Sequence, residues 1–199
     1  RTAGFNFGFI FTLTQHNLDE LDWVKEFAVQ QGARLLQVHP LEEVGNAAQR
    51  LAGKTPDANE NAYAWFLGRQ LQQDGAGLSV QVDIAYSETV KQHPELVYAI
   101  DGANTRGKDF AELISPLVIE ADAQVSPIQY GFAREYAIGN LRQTPLGALL
   151  QEWRATRLAD FYALCRAVHA EVSAMPPHFF NWYDLLGRRA ADTAALLAA

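Results

Sequence analysis

FNFGFIFTLTQHNLDELDWVKEFAVQQGARLLQVHPL, residues 5–41, is the stretch from which the fold is read, as strand, helix and strand. Phe5 to Thr14 is almost continuously apolar and rich in aromatic and β-branched residues, the composition of a strand buried on both faces. Asn17 then stands at a helix N-cap position with Glu20 three residues later, the spacing of a capping box. Leu18, Leu21, Val24, Phe27 and Ala28 recur at helical spacing and give that helix one apolar face. Gly32 supplies a left-handed residue to end it, and Arg34 to His39 forms the next strand. A strand, a crossover helix and a second strand form a right-handed unit with the strands parallel.

In such a unit chemistry collects at the carboxyl ends of the strands, where the loops face a common crevice. After the first strand those ends carry Thr12, Thr14, Gln15, His16 and Asn17, and after the second Gln37, His39 and Pro40. These compact polar groups either orient a ligand or cap and turn the chain.

Outward from this unit, Glu42 to Leu51 continues helically, and Thr55-Pro56 opens a helix that fills residues 61–73 with Ala62, Trp65, Phe66 and Leu71. Leu78 to Ile84 alternates with period two, a strand with one wet face. Gln81 and Asp83 lie on that face, read as solvated, with an inward-facing site role for Asp83 as the alternative. Ser87 caps a short helix, and Asp101 to Gly107 is a turn-rich loop. Pro116 to Tyr130 reads as two antiparallel strands around a turn at Asp122-Ala123. Thr144-Pro145 starts a helix whose stripe is Leu146, Leu149, Leu150 and Trp153, and a long helix follows over about residues 155–174. Cys165 and His169 share its apolar face, where the thiol reads as a core group. Phe179, Phe180, Trp182 and Tyr183 form an aromatic cluster that packs the tail onto the body or meets a partner, ahead of a last helix over 185–197.

Composition bounds the function. With 49% apolar and 20% charged residues in 199, the chain is globular. A net charge of -7 argues against nucleic acid or an anionic membrane surface as the main partner. One cysteine excludes an internal disulfide and fits a reducing cytoplasmic setting. No apolar run reaches membrane-spanning length.

Two stretches carry a family resemblance. The first, FIFTLTQHNLDELDWVKEFAVQQGARLLQVHPLEEVGNA, has Thr12-Leu-Thr14 with Asn17, then His39-Pro40-Leu41 and Gly45-Asn46-Ala47. It resembles the last β-α units of the radical S-adenosylmethionine barrel, in which a strand ends in Thr-x-Thr-x-x-Asn; Asn46 departs from the family's usual arginine. The second, LVIEADAQVSPIQYGFAREYAIGNLRQTPLGALLQEW, is similar to the hairpin and Ile-Gly-Asn turn of the SPASM extension of those enzymes. Where that extension often has Pro-Cys, this chain has Pro127-Ile128. The family's glycine-rich motif and its Cys-x-x-x-Cys-x-x-Cys are absent here, and one thiol cannot hold an iron–sulfur cluster.

The resemblance implies an α/β fold: a partial (β/α) barrel with parallel strands over residues 1–95, a SPASM-like β-hairpin region over 96–144 and a helical C-terminal tail over 145–199. It implies that the chain, which opens at Arg1, is the C-terminal part of an oxidoreductase. S-adenosylmethionine and a [4Fe–4S] cluster would belong to the intact protein, with no cofactor expected in this part. It also implies that Thr12, Thr14, Asn17, Gln37 and His39 lie near S-adenosylmethionine, with His39 as a metal ligand the weaker option. Expected partners are the missing N-terminal half of the barrel, a peptide or small-metabolite substrate, and a second copy pairing through the first strand. The competing reading is a binding or scaffold module that keeps the fold without the cluster.

Overall fold

The computed structural model describes residues 5–73, 77–101 and 108–198. The loop read at Asp101 to Gly107 lies outside the described residues except at its first position, as do Arg1 to Gly4 and most of the turn at Asp74 to Gly77. Two compact units are present: one runs to Tyr86 and takes in Pro177–Asn181, and the other comprises Ser87–Pro176 with the chain from Trp182 onward.

The first unit is built on strands β1 (Gly8–Leu13), β2 (Leu35–Pro40) and β3 (Ser79–Val82), parallel and in that spatial order. Helices α1 (Leu21–Gln31), α2 (Asn46–Arg50) and α3 (Ala58–Gln73) connect them. Side chains alternate across the sheet as the pleat requires. Phe9, Phe11, Leu13, Leu36, Val38, Val80 and Val82 face one side, where they pack with Leu21, Val24 and Ala28 of α1 and Ala64 and Leu71 of α3. α3 lies close on β3: a methyl group at Gly68 would overlap Val82 Cγ2. A short strand β4 (Ala85–Tyr86) pairs antiparallel with Phe179–Phe180, and Tyr86 stacks on Phe179 with ring centroids 4.9 Å apart.

Several expectations are corrected. The first strand is shorter than Phe5 to Thr14 and is not buried on both faces: Phe5 is 84% exposed and Ile10 69%. It stands at the end of the described sheet with only its helix-facing side covered. Asn17 does not cap α1, which begins at Leu21 after a 3-10 turn over Leu18–Glu20. Its amide turns back to the strand end, where Nδ2 donates to Thr12 O at 3.0 Å and Oδ1 accepts from Thr14 N at 2.7 Å. α3 starts one residue pair beyond Thr55-Pro56: Asp57 Oδ1 accepts from Asn59 and Glu60 N–H, and Glu60 returns a carboxylate to Asp57 N–H at 2.7 Å.

The second unit comprises helices α4 (Ser87–Gln92) and α5 (Phe110–Leu113), then strands β5 (Leu117–Ile119), β6 (Gln124–Pro127) and β7 (Gly139–Asn140) in one antiparallel sheet. The hairpin falls where its turn residues placed it, at Asp122-Ala123. The two successive helices read here are present as α6 (Leu146–Thr156) and α7 (Leu158–Ala174), separated at Arg157, whose φ of -126° leaves helical geometry, so the second starts about three residues later than residue 155. α8 (Trp182–Ala198) begins earlier than residue 185 because Trp182 and Tyr183 form its first turn. Trp153, Phe161, Tyr162 and Cys165 are buried together, with Trp153 Nε1 donating to Tyr136 O at 2.9 Å. Among the described residues no helix is long and apolar enough to cross a membrane.

Candidate functional site

The face of the parallel sheet opposite α1 and α3 carries a different set of residues. Gly8, Ile10 and Thr12 of β1, Leu35, Gln37 and His39 of β2, and Ser79 and Gln81 of β3 alternate out of the apolar layer. The parallel register sets Thr12 beside His39 and Gln37 beside Gln81. Asp83 follows β3 on the same side and is buried, its side chain only 2% exposed.

Asp83 is the centre of this face, which corrects its reading as a solvated strand residue. Its Oδ2 accepts from Gln37 Nε2 at 2.6 Å and pairs with His39 Nδ1 at 2.9 Å, while Oδ1 accepts from Gln81 Nε2 at 3.1 Å. A buried carboxylate is tolerated when donors surround it in this way. On the far side of the imidazole, His39 Nε2 lies 3.4 Å from Glu42 Oε1, which also accepts from Asn181 Nδ2 at 3.0 Å. His39 is thus held between two carboxylates. The hydrogen bond to Asp83 and then that to Glu42 raise it from 6.5 to about 9, against the opposing effect of burial. At neutral pH it is an imidazolium that donates from both nitrogens.

The five residues singled out in the sequence divide into two groups. Gln37 and His39 belong to the Asp83 network, and Thr12 adjoins them in register. Asn17 and Thr14 serve the β1 exit: the Asn17 amide binds Thr12 O and Thr14 N, and Thr14 Oγ1 accepts from His16 N at 3.3 Å. That exit is tied further by Gln15 N donating to Lys54 O at 3.1 Å and by Lys54 Nζ lying 2.8 Å from His16 Nε2. Asp83 and Glu42 were missing from the set. Glu42 could have been found from its spacing of three beyond His39, which returns its carboxylate to the ring once the strand ends at Pro40.

As an arrangement of groups the face offers a fixed imidazolium, a carboxylate beside it, and amide and hydroxyl groups over neighbouring strands. Such a set is chemically able to orient a polar ligand and to hold a proton at His39 Nε2. Among the described residues no group of three or more His, Cys, Asp or Glu side chains could hold a metal ion. Cys165 lies fully buried in α7, and desolvation pushes its thiol well above the usual range. Comparisons with protein-family models, with curated proteins and with solved structures find no match to this chain.

Proposed function

We propose that this chain is the C-terminal part of a radical S-adenosylmethionine oxidoreductase of the cytoplasm, and that the open face of its parallel sheet forms one wall of the cofactor pocket. The observation that carries this reading is the separation of the two sheet faces: α1 and α3 share an apolar core with one face, while Thr12, Gln37, His39 and Asp83 gather on the other near the strands' carboxyl ends. In a (β/α) barrel the helices likewise lie outside the sheet, the alternate strand residues point inward, and ligands bind at the strands' carboxyl ends. When bound, S-adenosylmethionine with a reduced [4Fe–4S] cluster supplies radical initiation. His39, Gln37 and Thr12 are the residues of this chain suited to the polar groups of S-adenosylmethionine, and Asp83 positions His39 and Gln37. Asn17 and Thr14 shape the strand exit beside that wall. The cluster does not fit this chain, whose lone thiol is buried in α7. We assign its ligands to a preceding segment that supplies the other half of the barrel.

The test uses the complete protein. Its coding sequence ahead of Arg1 is read, and S-adenosylmethionine binding is measured by calorimetry for the wild type, His39→Ala and Gln37→Ala. The expected result is an upstream Cys-x-x-x-Cys-x-x-Cys and affinity weakened by roughly tenfold, the scale of one lost hydrogen bond to a charged group. An upstream segment without that triad overturns the enzyme class. A triad with affinity unchanged in both variants overturns the role of the open face.

A further inference from the structure

The second unit holds a cavity of about 470 Å³ that the proposed function leaves unused. One wall is α7, where Asp160, Ala163, Leu164 and Ala167 follow the three- and four-residue spacing that keeps side chains on one helical face. Arg189 and Thr193 of α8 and the adjacent pair Glu135 and Tyr136 complete the lining. Arg157 lines the cavity from the break between α6 and α7. The volume falls in the range of small-molecule sites, roughly 300–1,000 Å³.

Charge is distributed unevenly along this cavity. Beyond Ala167, Arg189 is ion-paired with Glu171 and is neutralised. At the opposite end stand Arg157, Glu135 and Asp160, whose charged groups have no hydrogen-bond or ion-pair partner among the described residues. Glu135 and Asp160 both bear on the Tyr136 phenol: after desolvation, the charge of Asp160 and then that of Glu135 push it above its usual value. Between the two ends the floor is apolar, formed by Ala163, Leu164 and Ala167.

We infer that this cavity binds a free α-amino acid with an apolar side chain. The guanidinium of Arg157 suits its carboxylate, and Arg is the side chain best matched to that planar group. The carboxylates of Asp160 and Glu135 suit its ammonium group. The apolar floor takes the side chain. Closeness of the charges selects a single amino acid over a peptide: Arg157 and Asp160 lie within one turn at the start of α7, which suits an ammonium and a carboxylate on one carbon, whereas each added residue of an extended peptide moves its two termini about 3.3 Å further apart.

Phenylalanine is the probe, titrated into the ¹⁵N-labelled chain and followed by amide chemical shifts. Phenethylamine, which lacks the carboxylate, and 3-phenylpropanoate, which lacks the ammonium group, are the controls. The expected result is saturable shifts at Ala163, Ala167 and Thr193 with phenylalanine at least about tenfold tighter than either control. Arg157→Gln is expected to abolish the advantage over phenethylamine, and Asp160→Asn the advantage over phenylpropanoate. Both side chains are exposed, and a far-ultraviolet spectrum confirms that each variant is folded. Ala167→Met, which fills the floor, is expected to remove binding altogether. No saturable shift by about 10 mM, equal affinity for all three compounds, or shifts confined to other residues overturns the proposal.

Discussion

Asp83→Asn removes one charge from the most buried point of the open face and leaves its shape in place. The wild-type carboxylate accepts from Gln37, Gln81 and His39, so the variant loses a charge-assisted bond to an imidazolium and turns an amide NH₂ toward other donors. His39 is raised from 6.5 to about 9, and Asp83 is the largest cause. At 1.36 kcal/mol per tenfold change in acidity, that rise corresponds to roughly 3 kcal/mol. The His39 side chain is 31% exposed, so solvent screening reduces the share expected in stability to about 2 kcal/mol. Because the folded value lies above the unfolded one, this contribution is present in full below about pH 6.5 and is lost as pH rises through about 9. The losses from the buried thiol of Cys165 and the phenol of Tyr162 begin later, above their ordinary values of 9.0 and 10.0. The assay is denaturant unfolding at a series of pH values, with the His39 ring followed by NMR. Asp83→Asn is expected to lower unfolding free energy by about 2–4 kcal/mol at pH 6 and to flatten the pH dependence up to 9. A wild-type His39 that titrates near 6.5, or a variant with the same pH slope as wild type, refutes the reasoning.

Ala123 closes the β5–β6 turn with a φ of 67°, a conformation that costs a non-glycine residue about 1–2 kcal/mol. Ala123→Gly is therefore expected to stabilise the chain by about 0.5–1 kcal/mol after the greater entropy loss of glycine, read from the chemical-denaturation midpoint. Gly68→Ala is expected to destabilise by about 1 kcal/mol, because the overlap with the stiff Val82 side chain outweighs the helix-propensity gain; the same unfolding experiment reads it. Cys165, fully buried with its thiol pushed up by desolvation, is expected to resist thiol reagents in native buffer and to react only when the chain unfolds, as followed by labelling rate and mass.

The strand–helix–strand unit was legible because three signals agreed there: a continuous apolar run, a helical stripe through Leu21, Val24 and Ala28, and Gly32, which takes φ 73° at the helix end. The hairpin was legible for the same reason, turn chemistry between two apolar runs. The Asp83 centre was not. A lone carboxylate in an alternating strand looks like the wet face of a half-buried sheet, and only the pairing of Gln37 with Gln81 reveals that three donors converge on it. Asn17 was misread because an amide can serve helix N–H groups or strand peptide groups equally well, and local spacing does not distinguish them. The break between α6 and α7 was legible but not its exact place, because Trp153, Leu158 and Phe161 continue to fall on buried sides across Arg157.

Asn17 also changes how the first strand is understood. Arg34 N donates to Phe7 O and Leu41 N to Leu13 O, so the odd-numbered residues of β1 direct their peptide groups toward β2. By alternation Gly8, Ile10 and Thr12 direct theirs to the outer edge. There the Asn17 side chain donates to Thr12 O and accepts from Thr14 N, the two bonds a peptide group of a neighbouring parallel strand would make. The other edge is treated alike: Gln72 Nε2 donates to Val80 O at 2.5 Å, and Val80 points away from β2 because Ser79 N and Asp83 N point toward it. A side-chain amide therefore stands in for a missing strand on each edge of the parallel sheet, an inexpensive guard against unwanted pairing. On β1 the guard covers only the carboxyl end. The backbone groups of Gly8 and Ile10 remain on the outer edge beside the exposed Ile10 side chain, so an added strand, from a preceding segment or a second copy, has its register confined to that short stretch.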